Sequence, residues 1–278
     1  MSRQQSNKIL ISVSIVGARP TTSPFRRDCA KIKGMHFATL RRSLRLLRSF
    51  KYEQSDPDRF YSLLAQDTRD LVDHACNKVG IQYQSVLDVG GGPGYFADAF
   101  NPKRYVSVEP SAGEMAAAGI TVAQAVRASG SALPFPDSTF DVVLSSNVAE
   151  HVPDPWTMGA EMLRVVRPGG VVILSYTVWL GPFGGHETGL WQHYVGGAFA
   201  RDRYARKHGH LPKNVFGSSL FAVSCAEGLR WGVSTDQLAL AFPRYHPRWA
   251  WWLVRVPVLR EFLVSNLVLV IQKGSSLT

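Results

Sequence analysis

The chain has few cysteines, no long uncharged apolar run and, beyond its first fifth, almost no net charge. Cys29, Cys76 and Cys225 are far apart and odd in number, with no C-x-x-C. That pattern excludes a disulfide framework and a cysteine zinc site, and it predicts a reducing, cytoplasmic compartment. No segment reaches membrane-spanning length without charges, so no transmembrane helix is expected. Residues 9–16 are apolar behind Arg3 and Lys8 and so imitate a signal peptide, but no small-residue cleavage site follows. The formal charge of +10 is concentrated at one end: residues 1–51 carry twelve Lys and Arg against Asp28 alone. The other 227 residues sum to −1, so the basicity belongs to an arm. A nucleic-acid-binding protein would show basic residues on its folded body, and nucleic acid is therefore not an expected partner. The sequence becomes helical directly after Met35, which makes Met35 an expected start and 1–36 an arm expected to be poorly ordered.

What is present centres on residues 85–96, S-V-L-D-V-G-G-G-P-G-Y-F. The apolar run 86–89 reads as a strand buried on both faces of a parallel sheet. Gly90, Gly91, Gly92 and Gly94 then break it, and helix-forming residues resume at Tyr95. Glycines leave room for backbone to approach a ligand, and a helix start offers free N–H groups. A dinucleotide fingerprint, G-x-G-x-x-G, needs a glycine where this chain has Tyr95. A nicotinamide oxidoreductase is therefore the disfavoured alternative. The run 105–108 reads as a second strand ending in Glu109, about 20 positions past the first glycine, where a carboxylate suits ribose hydroxyls.

Other elements follow from local signals. Residues 37–50 place Phe37, Leu40, Leu44 and Leu47 on one helical face and Arg41, Arg42, Arg45 and Arg48 elsewhere. This face is expected to pack on the body with the basic side solvated, the alternative being a helix lying on a membrane surface. Asp56-Pro57 marks a helix start and Gly80 its end. Strands are expected at 120–125, 142–144, 171–176, 238–242 and 266–271, and helices at 158–166 and 223–231. R-P-G-G at 167–170 reads as a sharp turn into the fifth strand. Trp249, Trp251 and Trp252, between Arg248 and Arg255, read as a helix packing indoles on the sheet, the alternative being a membrane interface or an apolar-substrate wall.

In order, D-V-G-G-G-P-G (88–94), Glu109, A-L-P-F-P-D-S-T-F-D-V-V (132–143), E-H-V (150–152) and R-P-G-G resemble the class I S-adenosylmethionine-dependent methyltransferases. The likeness is to the type 11 and ubiquinone/menaquinone-type small-molecule enzymes, and it covers roughly 84–177. It implies an α/β fold: a doubly wound, seven-stranded, mostly parallel, Rossmann-like sheet with a helical N-terminal cap and an insertion after strand five. The implied layout is a cap over 37–82, a cofactor-binding core over 83–178, a lid insertion and helix over 179–232, and closing strands over 233–278. The implied cofactor is S-adenosyl-L-methionine. Asp88 would face its methionine portion, and Gly90, Gly91, Gly92 and Gly94 would admit it to the backbone. Glu109 would hold the ribose, Ser129, Gly130 and Ser131 would lie beside adenine, and Asn147 would lie under the reactive end. Relatives usually have an acidic residue at the adenine position; this chain has Ser129, a weaker neutral acceptor.

Methyl transfer asks mainly for alignment, so no single catalytic residue is expected. His151, His186, His193 and Tyr194 are the weak candidates for a base, with Tyr176 beside them. His186, Glu187 and His193 match no familiar metal-ligand spacing, and no metal site is expected. The aromatic, histidine-rich stretch 178–219 suits a substrate lid. Together with the family likeness it points to a small-molecule or lipid-like acceptor, methylated on oxygen or carbon, with peripheral membrane contact as an accompanying expectation. A protein that binds the cofactor without turnover is the second alternative.

Overall fold

Successive side chains of a strand point to opposite faces, so an unbroken apolar strand must be covered on both. That is the arrangement here. Leu87, Val89, Val106, Val108 and Val143 meet Met158 and Met162 on one side of the sheet. Val86, Val142, Leu144 and Ile173 meet Leu71, Val72 and Ala75 on the other. The computed structural model describes residues 37–52, 55–101, 103–116 and 124–275; the expected basic arm lies outside them, as does most of the expected third strand.

The sheet comprises β1 Ser85–Val89, β2 Arg104–Val108, β3 Ala125–Val126, β4 Phe140–Ser146, β5 Val166–Thr177, β6 Leu238–Pro243 and β7 Asn266–Gln272. Their order is β3-β2-β1-β4-β5-β7-β6. The first five pair in parallel, and β7 runs antiparallel to both β5 and β6. The chain therefore winds outward from β1 to β3 and then returns to begin β4 on the other side of β1. Ligands bind where such a sheet reverses, at the carboxyl ends of its strands.

Two helices precede the sheet, α1 Leu40–Ser49 and α2 Pro57–Val79. Asp56 caps α2 by accepting from the Arg59 N–H at 3.3 Å, and Gly80 ends it at φ 76°. After the glycine-rich turn come α3 Ala97–Phe100 and α4 Ala112–Ala116. α5 Pro155–Val165 starts at Asp154, whose carboxylate accepts from Trp156 and Thr157. The insertion after β5 holds α6 Gln192–Val195 and α7 Gly197–His208. α8 Cys225–Ser234 opens with a reciprocal Ser224–Glu227 capping box, and α9 Leu259–Leu263 precedes β7. No helix among the described residues is long and apolar enough to cross a membrane.

Three expectations are corrected. The leucine face of α1 does not pack on the body: Leu40, Leu44 and Leu47 are 53, 41 and 55% exposed, while Arg42, Leu46 and Ser49 are buried. Arg167-Pro168-Gly169-Gly170 is not a turn ahead of the strand but its irregular beginning, with Gly169 at φ 75° and a register shift against β4. The three tryptophans do not pack together on the sheet. Only Trp251 stacks on Phe242, at 4.2 Å, whereas Trp249 and Trp252 are exposed on a 3₁₀ segment, Arg248–Arg255.

The reason α1 turns its arginine inward is Asp67. This buried carboxylate receives Arg42 in a two-pronged pair, Nε–Oδ1 2.6 Å and Nη2–Oδ2 2.9 Å. Fully buried Arg244 approaches the same carboxylate at 3.5 Å. Arg244 also donates to Thr68 Oγ1 (2.7 Å), Ser146 Oγ (2.7 Å) and Ser175 Oγ (3.2 Å), and its carbonyl accepts from Arg42. One carboxylate thus ties both leading helices to the carboxyl ends of β4 and β5. Removing one partner of a buried ion pair strands the other charge, at a cost of about 3–5 kcal/mol. Asp67→Ala is accordingly expected to lower the unfolding free energy by about that much, measured by urea denaturation. Asp202→Ala, at the exposed Arg201–Asp202 pair, is expected to leave the midpoint in place.

Candidate functional site

The turn after β1 needs its glycines for two different reasons. Gly90 sits at φ 80°, and a Cβ there would lie 2.4 Å from Val148 Cγ2. Gly91 has no such φ, but its Cβ would lie 2.3 Å from Ser107 Oγ. Gly92 and Gly94 adopt φ 51° and 89°, a left-handed backbone that other residues adopt only at a cost. The turn is pinned to β2, with the Gly90 and Gly91 N–H groups donating to the Val108 carbonyl at 2.8 and 3.3 Å. The expected helix starts only at Ala97 and lasts one turn.

Glu109 at the end of β2 points back at this turn. Its Oε2 accepts from the Gly92 N–H at 3.3 Å, and its Oε1 accepts from the Ser111 N–H at 3.0 Å. Asp88 lies deeper, beneath the turn: it is buried and accepts the Tyr105 hydroxyl at 2.5 Å. Burial pushes its carboxyl up to about 7, against the opposing Tyr105 hydrogen bond. With almost no exposed surface, Asp88 shapes the turn from below. Above it, Tyr61 of α2 stacks on Tyr95 at 4.5 Å and 8° between planes, so the helical cap covers the glycine turn.

Beside the turn opens a cavity of about 240 Å³. Gly90, Pro110, Ser129, Gly130, Ser131 and His151 are among its walls. Gly130 is required where it packs, since a Cβ would lie 2.9 Å from Val89 and 3.1 Å from Met158. The Ser129 hydroxyl accepts from the Ser131 N–H and the Ser129 carbonyl from the Ala132 N–H. The segment is therefore held in one shape by its own hydrogen bonds. Segments 110 and 129–131, far apart in sequence, close the same hollow as the turn.

Asn147 stands at the end of β4 at φ 57°. It accepts from Asn266 Nδ2 at 2.6 Å, and half-buried Tyr245 lies beside it. Of the four weak base candidates, His151 lines the cavity. His151 Nδ1 lies 2.7 Å from the Ser219 carbonyl; a carbonyl only accepts, so Nδ1 carries a proton and Nε2 is the ring nitrogen turned away from it. His186 lies next to it, ring centroids 5.2 Å apart, and burial holds the His186 imidazole below its ordinary pKa. His193 is buried against the Gly181 carbonyl, 3.1 Å away, and Tyr194 is on the surface beside Phe262. Tyr176 is buried, with its hydroxyl donating to the Ser224 carbonyl.

A second cavity, about 340 Å³ and almost wholly apolar, has no counterpart in the sequence reading. Leu44, Leu47, Phe50, Phe183, Tyr245 and Leu263 line it. These residues come from α1 and its end, the insertion, the turn after β6 and α9, so no local motif announces them. The aromatic content of the insertion was the only signal.

The two glycine roles separate experimentally. Gly92→Ala meets open space and is expected to cost about 1–2 kcal/mol of backbone strain. Gly90→Ala adds a collision with Val148 to the same strain and is expected to destabilise clearly more, read from urea midpoints of the two variants.

Residues 87–174 match the family described as Methyltransferase domain. The chain is 64% identical over 244 residues to an uncharacterized methyltransferase of Mycolicibacterium gilvum, covering 84% of this chain and 95% of the relative. An uncharacterized methyltransferase of Mycobacterium tuberculosis is 63% identical over 246 residues, covering 84 and 95%. Among solved structures, a SAM-dependent methyltransferase from Thermotoga maritima is similar at 18% identity and a TM-score of 0.46, covering 83% of this chain and 97% of its own. With the sheet order, the glycine turn and relatives of this identity over nearly their whole length, the chain belongs to the class I S-adenosylmethionine-dependent methyltransferase family.

Proposed function

We propose that this methyltransferase moves a methyl group from S-adenosylmethionine to an oxygen or carbon of a lipid-like acceptor. The observation that carries the acceptor class is the apolar cavity, whose Tyr245 lies beside Asn147 at the end of β4. An aliphatic or isoprenoid body would be favoured there by burial alone, at about 25 cal/mol per Å² of apolar surface removed from water.

When bound, S-adenosylmethionine supplies an already activated methyl on a positively charged sulfur. The residues around the 240 Å³ cavity suit the rest of that molecule. The glycine turn lets it approach the backbone, Glu109 offers carboxylate oxygens to ribose hydroxyls, and residues 129–131 form a wall beside adenine. The work left to the chain is placement, since holding two reacting atoms aligned at short range removes much of the entropic barrier. His151 borders the same cavity, where its ring, held through Nδ1 by the Ser219 carbonyl, helps to place the acceptor.

Calorimetric titration with S-adenosylhomocysteine is expected to show one site, weakened at least tenfold in Glu109→Ala, with no binding of NAD. Incubation of the protein and methyl-labelled donor with a cell lipid extract is expected to move label into the organic phase. Binding of NAD alone, or label only in water-soluble products, would count against the proposal.

The exposed side of α1 supports a lipid surface as the source of the acceptor. Leu40, Leu44 and Leu47 project outward among Arg41, Arg45 and Arg48, the composition of a helix that lies in a membrane interface. Leu44 and Leu47 also line the apolar cavity, so the face that would enter lipid borders the cavity mouth. The protein is expected to sediment with anionic phosphatidylglycerol vesicles at low salt. The double variant Leu44→Ser, Leu47→Ser is expected to stay in the supernatant. Wild-type protein that stays in the supernatant as well would refute the membrane reading.

A further inference from the structure

Three side chains beside the cofactor cavity have donor atoms that the protein itself leaves unused. Glu150 is 1% exposed; its Oε1 accepts from the Thr177 N–H at 3.0 Å, and its Oε2 is buried with no hydrogen-bond partner. His186 Nε2 is likewise buried without a partner. His151 has Nδ1 engaged by the Ser219 carbonyl, so Nε2 is the ring nitrogen left for another partner. One donor atom from each of the three lies within 4.8 Å of the others. A buried carboxylate oxygen without a partner costs free energy, and native structures rarely keep one unless something else satisfies it.

The geometry points to a divalent transition-metal site formed by Glu150, His151 and His186. Two imidazole nitrogens and a carboxylate oxygen suit a zinc- or iron-like divalent ion. Bonds of about 2.1 Å require the three side chains to close inward by roughly an ångström each. The outer partners are of the kind such sites use, with a backbone carbonyl fixing the histidine tautomer and a backbone N–H holding the second carboxylate oxygen. The trio near in sequence, His186, Glu187 and His193, had no metal-like spacing, and the fold divides it. Glu187 turns to the Asn214 side chain and N–H, His193 faces Gly181, and only His186 joins the cluster.

The three ligands come from two places. Glu150 and His151 form a 3₁₀ turn after β4, and His186 comes from the insertion after β5. The ion would therefore also pin the insertion over the sheet edge. Three protein ligands leave at least one coordination position for an oxygen ligand, and His151 borders the 240 Å³ cavity. A hydroxyl, phenol or carboxylate oxygen of the acceptor is the ligand class for that position. This last role rests on the methyl-transfer proposal, whereas the metal site does not.

The test uses full-length protein stripped with a chelator, with neither methyl donor nor acceptor present. Calorimetry with Zn²⁺ is expected to give one site per chain of micromolar or tighter affinity, weakened at least tenfold in Glu150→Gln and in His186→Gln. His208→Gln, at an exposed histidine outside the cluster, is expected to bind like wild type. X-ray absorption of the wild-type zinc protein is expected to show two imidazoles and oxygen, with no sulfur, and does not depend on whether a variant folds. Absence of binding, a sulfur shell, or affinity unchanged in both cluster variants would overturn the proposal. Binding of S-adenosylhomocysteine, measured separately, stands or falls independently of these results.

Discussion

A single buried carboxylate, Asp67, sets the arrangement of everything around the carboxyl edge of the sheet. Two guanidiniums converge on it from residues 25 positions before and 177 positions after. A buried charge is tolerated only when it is paired and its remaining hydrogen-bonding groups are satisfied. Arg244 meets most of that requirement through its two Nη groups, which reach Thr68, Ser146 and Ser175 as well as Asp67. Satisfying the charge therefore fixes α2 against the ends of β4 and β5. The same demand draws Arg42 inward and so decides which side of α1 faces solvent.

The two cavities follow from that frame. The reversal of strand order between β1 and β4 leaves a crevice beside the glycine turn, and Pro110, residues 129–131 and His151 close it. α1, held by Arg42, forms one wall of the apolar cavity, and the insertion after β5 with the segment before β7 completes it. Asn147, next to Val148 of the first cavity, accepts from Asn266 of β7 and lies beside Tyr245 of the apolar cavity. The left-handed backbone at Asn147 is a conformation asparagine accepts more readily than most residues. The end of β4 thus lies near both cavities.

Much of this was legible in advance where the signal was local. The span of α2 is written in Asp56-Pro57 and Gly80, and the strands in short apolar runs, because caps and periodicity act over a few residues. The errors came where distant groups competed. The amphipathic pattern of α1 says which side is apolar but not what lies opposite, and here the partner on offer was a carboxylate rather than a hydrophobic surface. R-P-G-G carries turn residues, yet the strand runs through them, with Val166 already paired to Phe140 of β4 and Gly169 and Gly170 hydrogen-bonded to Lys273 just past β7. The tryptophans separated because Phe242 offers stacking surface to one indole.

The sequence alone determined the alternation of strands and helices, the glycine turn, the carboxylate one strand over and, through their order, the family. These depend on backbone sterics and short-range periodicity, which neighbouring residues carry in full. Tertiary structure alone decided that α1 turns leucines to solvent, that an apolar cavity forms from remote segments, and that Glu150, His151 and His186 share one buried point. Such features arise from desolvation and charge pairing between groups that meet only after folding, and no local pattern encodes the meeting.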